Sequence, residues 1–137
     1  MSLFRTRIVN LSSKLLQSGT GKRLVVWVII HIPALIPMKT LFETTSLSVY
    51  FHPQPSYPFH VIMVPKTNIP DVQSLDISKN SDFIQDVFSS TQKIVKEYQL
   101  EKVGYRLIVN GGKNQDFPII HFHLISDQTN PGKKSDT

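Results

Sequence analysis

Apolar and polar positions follow two different periods along this chain, and the change of period marks out its elements. Phe4, Ile8, Leu11 and Leu15 recur on one helical face, with Arg5, Arg7 and Lys14 mostly off it, so residues 3–16 read as an amphipathic helix. Residues 24–37 (LVVWVIIHIPALIP) form the most apolar run. Val and Ile dominate residues 25–30, a composition that predicts a buried strand rather than a helix. Residues 38–51 alternate weakly, with Leu47, Val49 and Phe51 on one side of a strand and Ser46, Ser48 and Tyr50 on the other. The segment His52–Pro58 (HPQPSYP) reads as a tight connection, because proline donates no ladder hydrogen bond. Residues 59–64 (FHVIMV) resume a strand that Pro65 ends, and the polar residues 66–80 read as loop.

Residues 82–99 carry the clearest helical pattern. Ile84, Val87, Phe88, Thr91, Val95 and Tyr98 fall at helical spacing, Asp82 and Asp86 precede Lys93 and Lys96 as the helix dipole favours, and Ser81 suits the N-cap. Residues 105–110 (YRLIVN) read as a strand, Asn110–Asn114 as a turn and residues 119–125 (IIHFHLI) as the last strand. The order is helix, strands, helix, hairpin. It predicts an α+β domain around an antiparallel sheet with one main packed helix and a basic N-terminal extension.

Composition sharpens this picture at the N-terminus. The chain has 137 residues, enough for one domain. It has no Cys, which excludes disulfides, cysteine nucleophiles and iron–sulfur clusters. The formal charge of +5 is unevenly held: Arg5, Arg7, Lys14, Lys22, Arg23 and Lys39 stand among residues 1–40 with no Asp or Glu, whereas residues 41–137 are close to neutral. That split argues against a nucleic-acid-binding surface spread over the domain. An acid-free basic segment with a helical apolar face matches a mitochondrial import signal, and it also matches a basic tail or an ordinary surface helix. The apolar run at 24–37 is short for a bilayer span and broken by His31, Pro33 and Pro37, so no stable membrane insertion is expected. The expected layout is a leader over 1–24, a domain over 25–126 and a polar tail over 127–137. The expected location is mitochondrial, with cytoplasmic as the alternative.

The chemistry concentrates in Pro118-Ile119-Ile120-His121-Phe122-His123-Leu124-Ile125. In a strand His121 and His123 share one face, while Ile120, Phe122 and Leu124 share the other and can enter the core. Two imidazoles about 7 Å apart along a strand can act on one reacting group, and histidine titrates near neutral pH without help. Two histidines facing solvent read the same way. A metal site needs more ligands than these two, and no further ligand stands at a suggestive spacing, so no metal or cofactor is expected.

The segment resembles the histidine triad (HIT) family, whose motif is His-φ-His-φ-His-φ-φ with φ apolar. His60-Val-Ile-Met-Val-Pro65-Lys66 resembles the family's His followed by apolar residues and Pro-Lys, HPQPSYP its proline-containing turn, and Tyr105-Arg106-Leu-Ile-Val-Asn110 its strand after the helix. The resemblance spans roughly residues 32–126. Taking His121 as the second motif histidine puts Ile119 at the first, His123 at the third and Leu124-Ile125 at the trailing apolar pair. The other register would turn that pair into Ser126-Asp127. The preferred register also sets Asn114-Gln115-Asp116 where the Hint-like branch has Gly-Gln-Ser.

This resemblance implies a hydrolase or transferase acting at the α-phosphate of a nucleotide conjugate, a phosphoramidate or a dinucleotide-like compound. His121 would be the nucleophile in a two-step route through a nucleotidyl-histidine. A backbone carbonyl at position 119 could hold its other ring nitrogen although that residue is Ile. His123 and His60 would support the same face, Gln115 would contact phosphate or nucleophile, and Asn110, His52 and Asp116 would line the nucleotide site. Three positions depart from the family pattern. Ile119 replaces a His, His52 replaces an Asp that binds the ribose hydroxyls, and Asp116 replaces a Ser. They support an alternative, a catalytically degenerate HIT-fold protein with a structural or interaction role in a mitochondrial assembly. The implied partners are a nucleotide or nucleotide conjugate, a second copy in a homodimer, or a mitochondrial protein.

Overall fold

The computed structural model describes residues 17–35 and 38–129. The predicted helix at 3–16 and most of the polar tail lie outside these residues. Among the described residues two α-helices and five strands follow in order: α1 (Gly19–His31), β1 (Thr40–Glu43), β2 (Leu47–Phe51), β3 (Phe59–Pro65), α2 (Ser81–Glu97), β4 (Arg106–Val109) and β5 (Phe122–Ser126). The strands form one antiparallel sheet in the order β1-β2-β3-β5-β4. The α+β class with an antiparallel sheet and a packed helix therefore holds.

Strand alternation gives the sheet two different faces. One face sends Leu47, Val49, Phe59, Val61, Met63 and Leu124 against α2, which contributes Phe83, Val87, Ile94 and Val95. The other face carries Tyr50, Ile62 and Val64, joined by Val26 of α1 and by Ile119. The histidines stand on this second face.

Several predicted elements need correction. The apolar run at residue 25 is helix, not strand. Ser18 caps α1, its hydroxyl accepting from Gly21 N–H at 3.0 Å, and the helix stops at His31, leaving Ile32, the residue before Pro33, outside it. The β-branched residues cost a helix only a few tenths of a kcal/mol each, roughly, and burying Val26 against the sheet outweighs that. The expected boundary between residues 24 and 25 falls inside this helix.

The single weak strand at 38–51 is two strands joined by a turn. Thr44 Oγ1 accepts from Ser46 N–H and Leu47 N–H there, and both the Thr44 and Ser46 hydroxyls donate to Asp86 Oδ2 of α2 at 2.6 Å. The buried stripe of α2 runs through Phe83, Val87, Ser90, Thr91, Ile94 and Val95, and Phe88 is 57% exposed. Val87, Thr91 and Val95 fall on it as predicted, and period 3.6 leaves either Phe83 or Phe88 to join them. Packing of Phe83 beside Phe122, ring centroids 6.1 Å apart, goes with the observed one. Asn80, not Ser81, is the N-cap, and its side chain instead accepts from Asp76 N–H. The last strand starts at Phe122 rather than Ile119, because Ile120 N–H donates to Ile69 O at 2.7 Å outside the ladder.

Candidate functional site

The sheet register assembles a cluster of four imidazoles. His60 on β3 faces Ile125, and His123 on β5 faces Ile62, so the two histidines are diagonal neighbours on one face. His52 follows β2 directly; its N–H donates to His60 O at 2.9 Å and extends the pairing by one step. Alternation from Tyr50 carries the His52 ring to the same face, where it stacks on His60 at 4.1 Å between centroids and 18° between planes. His121 precedes β5 by one residue and sits 4.8 Å from His123, ring to ring.

Backbone groups fix the state of three rings, and His60 fixes that of His123. The turn HPQPSYP contains three prolines, so few N–H groups exist in it, and two of them are aimed at imidazoles. Gln54 N–H donates to His52 Nδ1 at 3.1 Å, and Ser56 N–H donates to His60 Nδ1 at 3.2 Å. With Nδ1 accepting, His60 carries its proton on Nε2 and donates it to His123 Nδ1 at 3.0 Å. His123 in turn carries its proton on Nε2. His121 is set the opposite way: its Nδ1–H donates to Ile119 O at 2.8 Å, leaving the Nε2 lone pair free. The cluster thus offers N–H donors from His52 and His123 beside one unprotonated nitrogen on His121.

The electrostatics agree with neutral rings. Burial, then the neighbouring His52 and His123, push His60 from 6.5 down to about 4. Burial, then His121 and His52, push His123 down to about 4, with Asp116 acting in the opposite direction. Burial also lowers His52.

The remaining predicted residues lie around this cluster. Gln115 donates its amide from Nε2 to Pro70 O at 2.6 Å and to Phe117 O at 2.8 Å, stapling two loops together. Asp116 is exposed and, with Lys22 of α1 and Asp71, borders a groove of about 490 Å³ that also contains Gln115. Asn110 is half-buried at the end of β4. The loop from Asn110 turns at Gly112, whose φ of 57° lies in the left-handed region.

Nitrogens of His52, His60 and His123 lie within 4.8 Å of one another, a grouping that sequence spacing did not suggest. The arrangement fits a metal poorly. Ligand lone pairs lie in the ring planes, and the nearly parallel stacked rings of His52 and His60 do not point theirs at one centre. Both His60 nitrogens are also already engaged. Sequence reasoning missed Ser56 and Gln54 as well. Their signal was available in the turn, where non-proline positions are the only donors.

A sheet of this topology with histidines gathered at its β3–β5 pairing defines the class of protein, and comparison with known proteins supplies the family. The HIT domain matches residues 34–130. The chain is 33% identical over 89 residues to an uncharacterized HIT-like protein of Rickettsia prowazekii (strain Madrid E), covering 65% of this chain and 74% of that one. Among solved structures, a HIT family hydrolase from Clostridium thermocellum superposes with a TM-score of 0.66 at 27% identity, covering 80% of this chain and 95% of that one. A histidine triad protein from Clostridium difficile gives 0.67 at 22% identity, with the same two coverages of 80% and 95%, a likeness of fold. The chain belongs to the HIT family.

Proposed function

We propose that this protein cleaves a nucleotide conjugate at its α-phosphate, with His121 as the attacking group. The observation that carries the reading is the 2.8 Å bond from His121 Nδ1–H to Ile119 O. It holds the tautomer in which Nε2 is unprotonated, the state an imidazole nucleophile needs, and a main-chain carbonyl does so where the side chain is Ile. In the first step Nε2 attacks phosphorus, the N–P bond forms and the bond to the leaving group breaks. Water then attacks the same phosphorus, breaks the N–P bond and returns His121 to its starting state. The N–H group of His123 donates to the phosphate oxygens, His60 orients His123 through their 3.0 Å bond, and His52 lies toward the ribose. With its Nδ1 already accepting from His60, His123 presents an N–H to the site, which suits an oxyanion.

A second reading rests on Gln115. Its amide nitrogen is occupied by Pro70 O and Phe117 O, so the side chain serves loop structure, as it would in a protein that keeps the fold without turnover. One experiment separates the two. Purified protein is incubated with aminoacyl phosphoramidates and dinucleotides of each base, and release of the nucleoside monophosphate is followed. The enzyme reading expects turnover that falls by about 10³-fold or more in His121→Ala, and a nucleotidyl adduct on His121 after acid-free quenching. No turnover and no nucleotide binding across the set would overturn it in favour of the second reading.

A further inference from the structure

Helix α1 is two-sided in a way the HIT site does not use. Val26 is buried against the sheet and Ile29 and Ile30 pack beside it. The opposite side presents Thr20, Arg23, Leu24, Trp27 and His31, all exposed, and these positions fall within one face of a 3.6-residue helix. Leu24 is 53% exposed and Trp27 50%, and the stripe continues past the helix into Ile32 and Leu35, the latter 66% exposed. The His31 ring stacks on Trp27 with centroids 4.8 Å apart, and the indole is still half exposed. A contiguous apolar stripe of this kind marks a contact surface.

The charge around it indicates what the contact is. Every charged residue in the first 40 positions is basic, and Arg23 stands on the stripe itself. We infer that the exposed face of α1 docks on an anionic lipid bilayer, lying in the headgroup region with Leu24, Trp27, Ile32 and Leu35 inserted and Arg23 at the phosphates. Three features favour a bilayer over an acidic protein. The apolar side chains are long and unpocketed, the tryptophan is of the type that settles at the membrane–water boundary, and the basic charge extends along the sequence rather than forming one cluster. This is surface association. No helix among the described residues is long and apolar enough to cross a membrane.

Trp27 is the chain's sole tryptophan, so its fluorescence reports the contact directly. The full chain is titrated with vesicles of phosphatidylcholine containing phosphatidylglycerol, and with vesicles of phosphatidylcholine alone, while Trp27 emission and co-sedimentation are read together. The expected result is a blue shift and sedimentation with the anionic vesicles, weakened by salt, and little of either with the neutral ones. Arg23→Gln should weaken vesicle affinity about fivefold. Leu24→Ser with Leu35→Ser changes two exposed side chains, should leave the thermal unfolding midpoint in place, and should abolish the blue shift. Equal binding to neutral vesicles would overturn the inference, as would sedimentation without a change in Trp27 emission. A blue shift that grows with protein concentration in the absence of vesicles would instead assign the stripe to a second copy of the chain.

Discussion

The paired imidazoles of His60 and His123 make stability depend on pH in a window that carboxylates do not share. Both are held neutral in the folded protein, with their ordinary value of 6.5 lowered to about 4 by burial and by neighbouring histidines. In the unfolded chain they bind protons as the pH drops through 6.5, whereas the folded protein does not until about 4. The unfolded state therefore holds more protons throughout this window, and stability falls as the pH falls. For one such group, lowering the pH from about 7 to about 5 removes close to 2 kcal/mol. The two rings share a hydrogen bond and one of them is only half-buried, so we expect about 2 kcal/mol for the pair rather than twice that. Urea unfolding at the two pH values measures it, with the midpoint converted through a common slope. The control is His123→Asn, which removes one titrating ring and leaves a side chain able to accept from His60 Nε2–H. Its loss between the two pH values should be roughly half that of the natural chain. A natural chain equally stable at both values would refute the neutral-pair assignment, and so would an unchanged loss in the variant.

Three other outcomes follow from particular contacts. Asp86→Ala deletes the acceptor of two 2.6 Å bonds from Thr44 and Ser46, and at this partly exposed site should cost about 1–2 kcal/mol in chemical unfolding. Those bonds hold the Asp86 carboxyl below its usual value of 3.8, so their contribution persists above that value and disappears only in stronger acid, apart from the histidine window. A chain starting at residue 32 uncovers Tyr50, Ile62, Val64 and Ile119, and relative to one starting at residue 17 should lose roughly 2–4 kcal/mol and bind a hydrophobic dye. If the basic N-terminus is a mitochondrial leader, its cleavage point, read by sequencing the native N-terminus, should accordingly precede Ser18. His52→Asp replaces a ring N–H donor with a bidentate acceptor, and the variant should prefer ribonucleotide over 2′-deoxyribonucleotide conjugates by about tenfold more than the natural chain, measured as a ratio of kcat/KM.

Much of the architecture was legible in residue order. A continuous apolar run ended by Pro65 located β3, alternation around His121 and His123 located β5 within a few residues, and the period-3.6 pattern located α2, which lies between a wet side and a dry side. Where both sides are partly covered, the pattern fails. α1 is apolar on the side packed against the sheet and again on its exposed stripe, so its periodicity is weak, and composition alone pointed to a strand. The α2 stripe keeps the predicted Val87, Thr91, Val95 and Tyr98 but takes Phe83 in place of Phe88: the two are equally apolar, and Phe83 is the one that packs beside Phe122. The first strand was read as continuous because Thr44 and Ser46 look like ordinary polar strand residues until Asp86, far along the chain, closes the turn.

Residue order alone carried the class of fold, the family resemblance and all four histidines of the cluster. A strand's twofold repeat is local, so His121 and His123 had to share a face once their segment was extended. Tertiary structure decided what those rings are. Burial beside the other rings keeps His60 neutral and Ser56 N–H across a proline-rich turn sets its tautomer, its partner His123 comes from the β3–β5 register, and the free nitrogen of His121 comes from the carbonyl of Ile119. Protonation and tautomer are set by which groups surround a ring in space, and that information does not exist until the sheet has formed.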